Sequence, residues 1–180
     1  MNQRELATLG ALGVLAEEET ATVRAVHETL QHNFGNYWGA STGVLGPTMT
    51  RLEEAGHVGL TLTDGGTYRI TESGIARLQS LLRDPVDGLS SSPLQPQLVM
   101  KLGFLHHLPL PEQREEIDAL ADRVRTAREE LGDVKSIHEA EVDDAVDTGY
   151  RGDLILLRIF VLDALLDWLD ALEIDCVSER

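Results

Sequence analysis

The side chains with the greatest capacity for chemistry are two adjacent histidines and a single cysteine. His106, His107 and Cys176 are all of a type that binds zinc. Adjacent side chains on a helix point about 100° apart, however, and no paired ligand motif accompanies these three residues. We therefore predict a helix-end histidine pair without a metal. The lone cysteine excludes an intramolecular disulfide and is typical of a reducing compartment.

Other patterns that carry catalysis or ion binding are missing from the sequence. It contains no glycine-rich phosphate loop, no HExxH zinc motif and no nucleophile elbow. His27 and His32 are five residues apart and therefore lie on different faces of a helix. The acidic run 139–147 lacks the central glycine of a calcium loop. We expect no enzymatic activity, no catalytic residue, no metal and no cofactor.

The charge of the chain is strongly negative and unevenly distributed. The sequence has 31 acidic and 15 basic residues, which give a net charge of -16. Its only lysines are Lys101 and Lys135, and this composition resembles that of proteins from salt-loving organisms; an ordinary acidic protein is the alternative. Residues 1–83 hold six basic and nine acidic side chains, and residues 84–180 hold nine and 22. The two parts therefore face different partners, or only the first must avoid repelling an anion.

Short helices around a β-hairpin are predicted for the first 83 residues. Apolar residues at helical spacing predict four helices, and alternating apolar residues around a glycine turn predict the hairpin. These segments are 6–16, 23–33, 41–55 and 71–82, with the hairpin over 58–70. Thr20 or Thr22 caps the second helix and Thr71 the fourth. Pro47 leaves the start of the third helix open between Ser41 and Gly46.

The second part of the chain begins after a segment, 84–93, whose Pro, Gly and Ser content predicts a linker. An apolar helix then runs from Leu94 to the histidine pair, and Pro111 opens a charged amphipathic helix. Residues 132–149 form an acidic connector, partly helical or mobile. The last helix, 154–172, is apolar over most of its circumference, but its four charged residues exclude a membrane span.

Two segments carry a family resemblance. The first reads YWGASTGVLGPTMTRLEEAG over 37–56, and the second reads YRITESG over 68–74. They resemble the W-x-x-S-x-G-x-[LI]-Y-P-x-L-x-R-L-E-x-x-G and Y-x-[LI]-T-x-x-G motifs of the PadR family of transcriptional regulators. The resemblance spans residues 6–82. It implies a mainly α protein with a small β-hairpin, in which a winged helix-turn-helix domain precedes an α-helical dimerisation domain.

The resemblance implies a sequence-specific DNA-binding regulator, a repressor, with DNA-binding domain 1–83, linker 84–93 and dimerisation domain 94–180. Its third helix would enter the major groove. The DNA-contacting residues implied are Asn36, Tyr37, Ser41, Thr42, Thr48, Arg51, Thr67 and Arg69. Two alternatives stay open, because Ser41 could serve only as a cap and Arg51 could pair with the acidic residues that follow it. In concentrated salt we expect hydrogen bonds and few ionic contacts to carry binding.

The apolar last helix predicts a homodimer, since a small helical subdomain cannot cover so wide an apolar surface. The residues expected at the interface are Leu154, Leu157, Phe160, Val161, Leu165 and Trp168. A twofold dimer matches a pseudo-palindromic operator in double-stranded DNA. The resemblance also implies a small-molecule effector near the interface. Trp38, Phe160 and Trp168 are candidates for its pocket, with core packing as the alternative.

Three departures from the family pattern favour a second hypothesis. Gly46 stands where the family has tyrosine, residues 21–23 replace the common H-G-Y, and the wing 61–67 is short with an acidic tip. The alternative is a dimeric protein-interaction module that keeps the winged-helix fold without binding DNA. Under either hypothesis we expect a cytoplasmic protein without a membrane segment, because the N-terminus lacks the apolar run of a signal peptide.

Overall fold

The computed structural model of the chain describes residues 1–38, 42–61, 66–141 and 150–172, including their side chains except those of residues 36, 42, 140 and 141. The elements of the first 84 residues are α1 (Gln3–Glu17), α2 (Val23–Phe34), α3 (Thr42–Glu54), β1 (Val58–Thr61), β2 (Thr67–Ile70) and α4 (Glu72–Leu82). Those that follow are α5 (Pro96–Phe104), α6 (Leu110–Glu141) and α7 (Arg151–Ala171). Single 3₁₀ turns span Gly35–Tyr37 and Leu105–His107.

The helix α1 forms the centre of the first unit. It starts with a capping box, in which the Asn2 side chain accepts from the backbone N–H of Glu5 and the Glu5 carboxylate accepts from the N–H of Asn2. Every residue from 9 to 15 is buried, and α1 contacts α2, α3, α4 and α5. A Cβ on Gly13 would lie 2.6 Å from the Phe104 ring, so glycine lets α5 approach this closely.

The helix-turn-helix pair consists of α2 and α3. Of the two capping candidates, Thr22 accepts a hydrogen bond from the backbone N–H of Ala25, 3.1 Å away. The helix α3 runs from Thr42 through Pro47, so a start near Gly46 is wrong. It ends at Glu54, and Gly56, two residues later, has a φ of 73°, the left-handed conformation that the sequence predicts there.

The predicted hairpin is confirmed as an antiparallel pair that follows α3. Its register places Gly59 opposite Arg69 and Leu60 opposite Tyr68. Tyr68 also exchanges two backbone hydrogen bonds with Ala21, which extends the small sheet toward the start of α2. Thr71 then caps α4 through the N–H of Gly74. The order of helices and hairpin is that of a winged helix, which confirms the predicted fold class for this part.

The chain divides into two compact units, one of residues 1–84 and 95–110 and the other of residues 85–94 and 111–180. The helix α5 thus belongs with the winged-helix elements, whereas the sequence analysis assigned it to the second domain. The reason is Phe104, whose ring fills the space beside Gly13 and lies 5.1 Å from the Phe34 ring. Lys101 is buried in the same unit and donates to the carbonyl of Asp84.

The second unit contains α7 and nearly all of α6. Leu120 and Val124 of α6 and Leu162 of α7 are buried. Two ion pairs join these helices: Arg128 with Asp163, and Arg125 with Asp170 at 3.7 Å. None of the helices that the structure describes has the length and hydropathy needed to cross a membrane.

The segment predicted as a linker packs within the second unit. Val86 and Leu89 are buried, and Asp87 accepts a hydrogen bond from Arg123 of α6 at 3.0 Å. The predicted acidic connector begins instead as a continuation of α6 to Glu141, and residues 142–149 lie outside the described residues.

Candidate nucleic-acid interface

The helix α3 has an apolar face and a polar face. Its buried stripe is formed by Leu45, Met49 and Leu52, as their spacing predicts. The exposed positions on the opposite side follow the same helical spacing and include Pro47, Thr50, Arg51 and Glu54. We call these four residues the α3 polar face. Such a face on the third helix of a winged helix is the surface that can enter a DNA groove.

Thr48 does not belong to the α3 polar face, although the sequence analysis expects it to contact DNA. It is 1% exposed, and its hydroxyl donates to the carbonyl of Val44 at 2.8 Å. The same hydroxyl accepts from the guanidinium of Arg51 at 2.9 Å. The predicted direct contact of Thr48 with DNA is therefore corrected. Its buried hydroxyl already donates one hydrogen bond and accepts another, so it supports Arg51 and does not reach a ligand.

Arg51 lies on the polar face with its side chain folded along the helix. Its Nε donates to the carbonyl of Pro47 at 3.1 Å and its Nη2 to Thr48. Two of the five guanidinium N–H groups are used in this way. Because the side chain is exposed, the other three can donate to a ligand. These hydrogen bonds hold a planar cation in one orientation, which suits it to phosphate or to a base edge.

The sequence analysis missed Thr50, which lies on the α3 polar face beside Arg51. Its side chain is exposed, and its hydroxyl donates to the carbonyl of Gly46 at 3.3 Å. A hydroxyl that donates one hydrogen bond keeps its acceptor lone pairs, so this oxygen can also accept from a base edge. The sequence does contain a signal for Thr50, because residues three positions apart, such as Pro47 and Thr50, lie on the same face of a helix. Glu54 at the far end of the same face is negative and would repel phosphate.

Four predicted contacts lie at or before the start of α3. Asn36 and Tyr37 belong to the 3₁₀ turn, and Tyr37 is 39% exposed. Thr42 is the first residue of α3, whereas Ser41 lies outside the described residues. The first N–H groups of a helix have no acceptor within it, so the beginning of α3 offers backbone donors to an anion.

The hairpin contributes the last two predicted contacts. Residues that alternate along a strand share one face, so Thr67 and Arg69 lie on the same side of β2. Arg69 is exposed and pairs with Gly59, whose lack of a side chain leaves the guanidinium uncovered from across the hairpin. Arg69 is thus available to the phosphate backbone beside a groove.

The predicted dimer surface on α7 is partly exposed. Leu154, Leu157, Phe160 and Trp168 are between 47% and 63% exposed, and we call these four residues the α7 apolar face. Leu165 is only 8% exposed and packs inside its own unit, so it is corrected from interface to core. Val161 is half-buried.

The apolar surface of the second unit continues beyond α7. Val134 and Ile137 near the end of α6 are 48% and 58% exposed. Together with Leu154 they line a groove of about 440 Å³ between the two helices. Of the aromatic residues considered for an effector pocket, Trp38 is 3% exposed and belongs to the core of the first unit, whereas Phe160 and Trp168 lie on the α7 apolar face.

Comparison with solved structures gives the following similarities. A PadR-like transcriptional regulator from Bacillus cereus is 15% identical, with 94% of each chain covered and a TM-score of 0.41. PadR from Bacillus subtilis in complex with p-coumaric acid is 14% identical, with 94% of each chain covered and a TM-score of 0.44. The same regulator in complex with operator DNA is 15% identical over 91% of this chain and 94% of that one, with a TM-score of 0.41. No protein-family profile matches the chain, and no curated protein matches its sequence.

Proposed function

We propose that the chain is a DNA-binding transcriptional regulator of PadR type that acts as a dimeric repressor in the cytoplasm at high salt. The observation that carries this proposal is the α3 polar face, where a hydrogen bond to the buried hydroxyl of Thr48 fixes the orientation of the Arg51 guanidinium. A winged helix that presents such a face can place it in the major groove while the hairpin lies along the backbone. The PadR-like motifs of residues 37–56 and 68–74 support the same conclusion.

The acidic composition is compatible with this function because the contacts proposed are few and mostly neutral. Among the proposed contacts that the structure describes, Arg51 and Arg69 are the cations, and the neutral donors include the Thr50 hydroxyl and the backbone N–H groups at the start of α3. Each phosphate neutralised contributes a slope of about -0.9 in the logarithm of affinity against the logarithm of salt concentration. A dimer with two such cations per protomer would show a slope of about -3.6.

Dimerisation would cover the α7 apolar face. It would also place two α3 helices in one DNA-binding assembly. Four large apolar side chains that are half-exposed on one helix are a surface that monomers rarely keep. Pairing of two copies about a twofold axis would present two α3 helices to successive major grooves, as a pseudo-palindromic operator requires. An aromatic effector would then find Phe160 and Trp168 near the interface.

The second candidate function is a protein-interaction module that has lost DNA binding. Two observations favour it. A side chain on Gly46 would meet nothing within 4 Å, so the position of the family tyrosine is an open gap on the helix surface. Glu53 and Glu54 are exposed at the end of α3, where they would repel a phosphate.

The experiment that separates the two functions is fluorescence anisotropy of the protein with labelled DNA from upstream of its own gene, from 0.2 to about 3 M KCl. The DNA-binding function predicts a specific complex whose salt slope is no steeper than about -4. An intact dimer that binds no upstream fragment at any salt concentration would contradict the DNA-binding function and favour the interaction module.

A charge-reversal variant locates the interface. Arg51→Glu should weaken binding at least tenfold and reduce the salt slope by about 2 for a dimer, because one ionic contact is lost per protomer. Arg4→Glu is the matched control, since Arg4 is an exposed arginine on α1, away from the α3 polar face. If both variants bind equally well, the α3 polar face is not the DNA-binding surface.

A further inference from the structure

Three potential metal ligands from distant parts of the sequence meet in the first unit. Glu17 ends α1, and His106 and His107 form the 3₁₀ turn after α5. The Oε1 atom of Glu17 is 3.4 Å from Nε2 of His106 and 3.9 Å from Nε2 of His107. One potential ligand atom from each of the three residues lies within 4.8 Å of those of the other two.

The histidine pair is predicted from the sequence to hold no metal because adjacent side chains on a helix diverge. In the structure the two residues follow the end of α5, and their rings lie side by side with centroids 4.1 Å apart. Both Nε2 atoms lie near the same carboxylate, that of Glu17, which is 89 and 90 positions earlier in the chain than the two histidines. The divergence expected within a regular helix therefore does not apply to this turn.

The distances fit one small divalent cation. Two atoms bound tetrahedrally to zinc at about 2.0–2.1 Å lie about 3.3 Å apart. The separation of 3.4 Å between Glu17 and His106 is already of this size, and that of 3.9 Å between Glu17 and His107 would have to shorten when the ion binds. Two histidines and one glutamate are a ligand set that zinc accepts, with a fourth position left for water.

The state of His107 supports the same interpretation. Its Nε2 atom is buried and has no hydrogen-bond partner among the described residues. A neutral ring offers a lone pair to a metal ion, whereas a buried nitrogen without any partner costs stability.

The surroundings favour a cation. Glu18 directly follows Glu17 in the sequence, and its negative charge acts on Glu17. Negative potential at this end of α1 also comes from the helix dipole, whose carbonyl groups point toward the C-terminus. The side chain of His106 is 56% exposed, which leaves a path for an ion from solvent.

We propose that Glu17, His106 and His107 form a binding site for a divalent transition-metal ion of the zinc type. The ion would join the end of α1 to the turn after α5 and so fasten α5 to the winged-helix elements of its unit. This site is separate from the α3 polar face and does not depend on DNA binding. Cys176 lies outside the described residues and is not needed for the site.

Calorimetric titration of the untagged, chelator-treated full-length protein with zinc chloride tests the proposal. We expect one ion per chain and a rise in melting temperature on its addition. Cobalt in place of zinc should give the strong visible absorption of a tetrahedral centre. The variants Glu17→Gln and His106→Ala should each weaken zinc binding more than about tenfold, since loss of a supporting group alone costs that much.

The matched control is His32→Ala, which removes an exposed histidine from α2. This variant should bind zinc as the unaltered protein does. Circular dichroism of the metal-free variants checks that each is folded; Glu17→Gln preserves the size of the side chain and removes only its charge. The absence of saturable zinc binding, or equal affinity in Glu17→Gln and the unaltered protein, would show that the three residues do not form a metal site.

Discussion

At the scale of single residues, the candidate interface depends on a support that lies beneath the surface. Thr48 is buried, yet it holds the guanidinium of Arg51, which is exposed. A surface arginine normally samples many rotamers, and ordering it upon binding costs affinity. The hydrogen bond to Thr48 reduces this entropy cost because it already orders the Arg51 side chain in the unbound protein.

Replacement of Thr48 by valine tests this support. Thr48→Val keeps the shape of the side chain, and the Val44 carbonyl it leaves can still accept from the helix backbone, so stability should change by less than about 1 kcal/mol. DNA affinity should fall about three- to tenfold because Arg51 loses its fixed orientation. Thr126→Val is the control, since Thr126 makes the same type of hydrogen bond, to Asp122, in α6. Anisotropy that shows equal affinity for both variants would contradict the positioning role.

The burial of Thr48 was available from the sequence, whereas the metal-ligand cluster was not. Thr48 lies three residues after Leu45 and four before Leu52, so it falls on the apolar stripe of α3. The prediction of a DNA contact followed the polar type of the residue and not its position on this stripe. The meeting of Glu17 with the histidine pair depends instead on how α5 packs against α1, and no local pattern encodes a contact between residues 89 positions apart.

At the scale of elements, local patterns determine the helices and the hairpin of the winged unit. Capping residues, apolar spacing and the left-handed glycine at 56 each act within a few residues, so the sequence is sufficient to place them. The membership of α5 depends on long-range packing of Phe104 against Gly13 and Phe34, which a linear division at a Pro- and Ser-rich segment misses. That segment is anchored by Val86 and Leu89, two apolar residues in an otherwise polar run.

Close packing of α1 and α5 can be tested at Gly13. A methyl group there would lie 2.6 Å from the Phe104 ring, so Gly13→Ala should lower the free energy of unfolding by about 1–3 kcal/mol. Gly132→Ala is the matched control, because Gly132 is also within a helix and its Cβ would meet nothing within 4 Å. This variant should gain about 0.5–1 kcal/mol from the better helix propensity of alanine. Urea denaturation measures both; a stabilising Gly13→Ala would show that the two helices are not packed this closely.

At the scale of the whole molecule, the negative charge and the exposed apolar surface are both concentrated in the second part of the chain. Residues 1–83 hold six basic and nine acidic side chains, while residues 84–180 hold nine and 22. The part proposed to meet DNA therefore repels it least. The strongly acidic part carries the α7 apolar face, and association through apolar contacts is compatible with a like-charged partner when salt screens the repulsion.

The role of the α7 apolar face in dimerisation can be tested at Leu157. Leu157 is 55% exposed near its centre, and an aspartate there would have to be desolvated at a dimer interface. Leu157→Asp should therefore convert the dimer into a monomer in sedimentation velocity, with little change in the helical circular dichroism. Binding to a full operator should weaken at least tenfold, whereas binding to a half-site should not change, because only the link between two recognition helices is lost.

Ile75→Asp supplies the control for that measurement, since Ile75 is a similarly exposed apolar residue on α4 of the winged unit. It should leave the dimer intact, which separates a specific interface from a general effect of added charge. An unaltered protein that sediments as a monomer at micromolar concentration, or a Leu157→Asp variant that stays dimeric, would remove the α7 apolar face from the assembly. Two α3 helices would then have to be brought to the operator by another surface, or each protomer would have to bind alone.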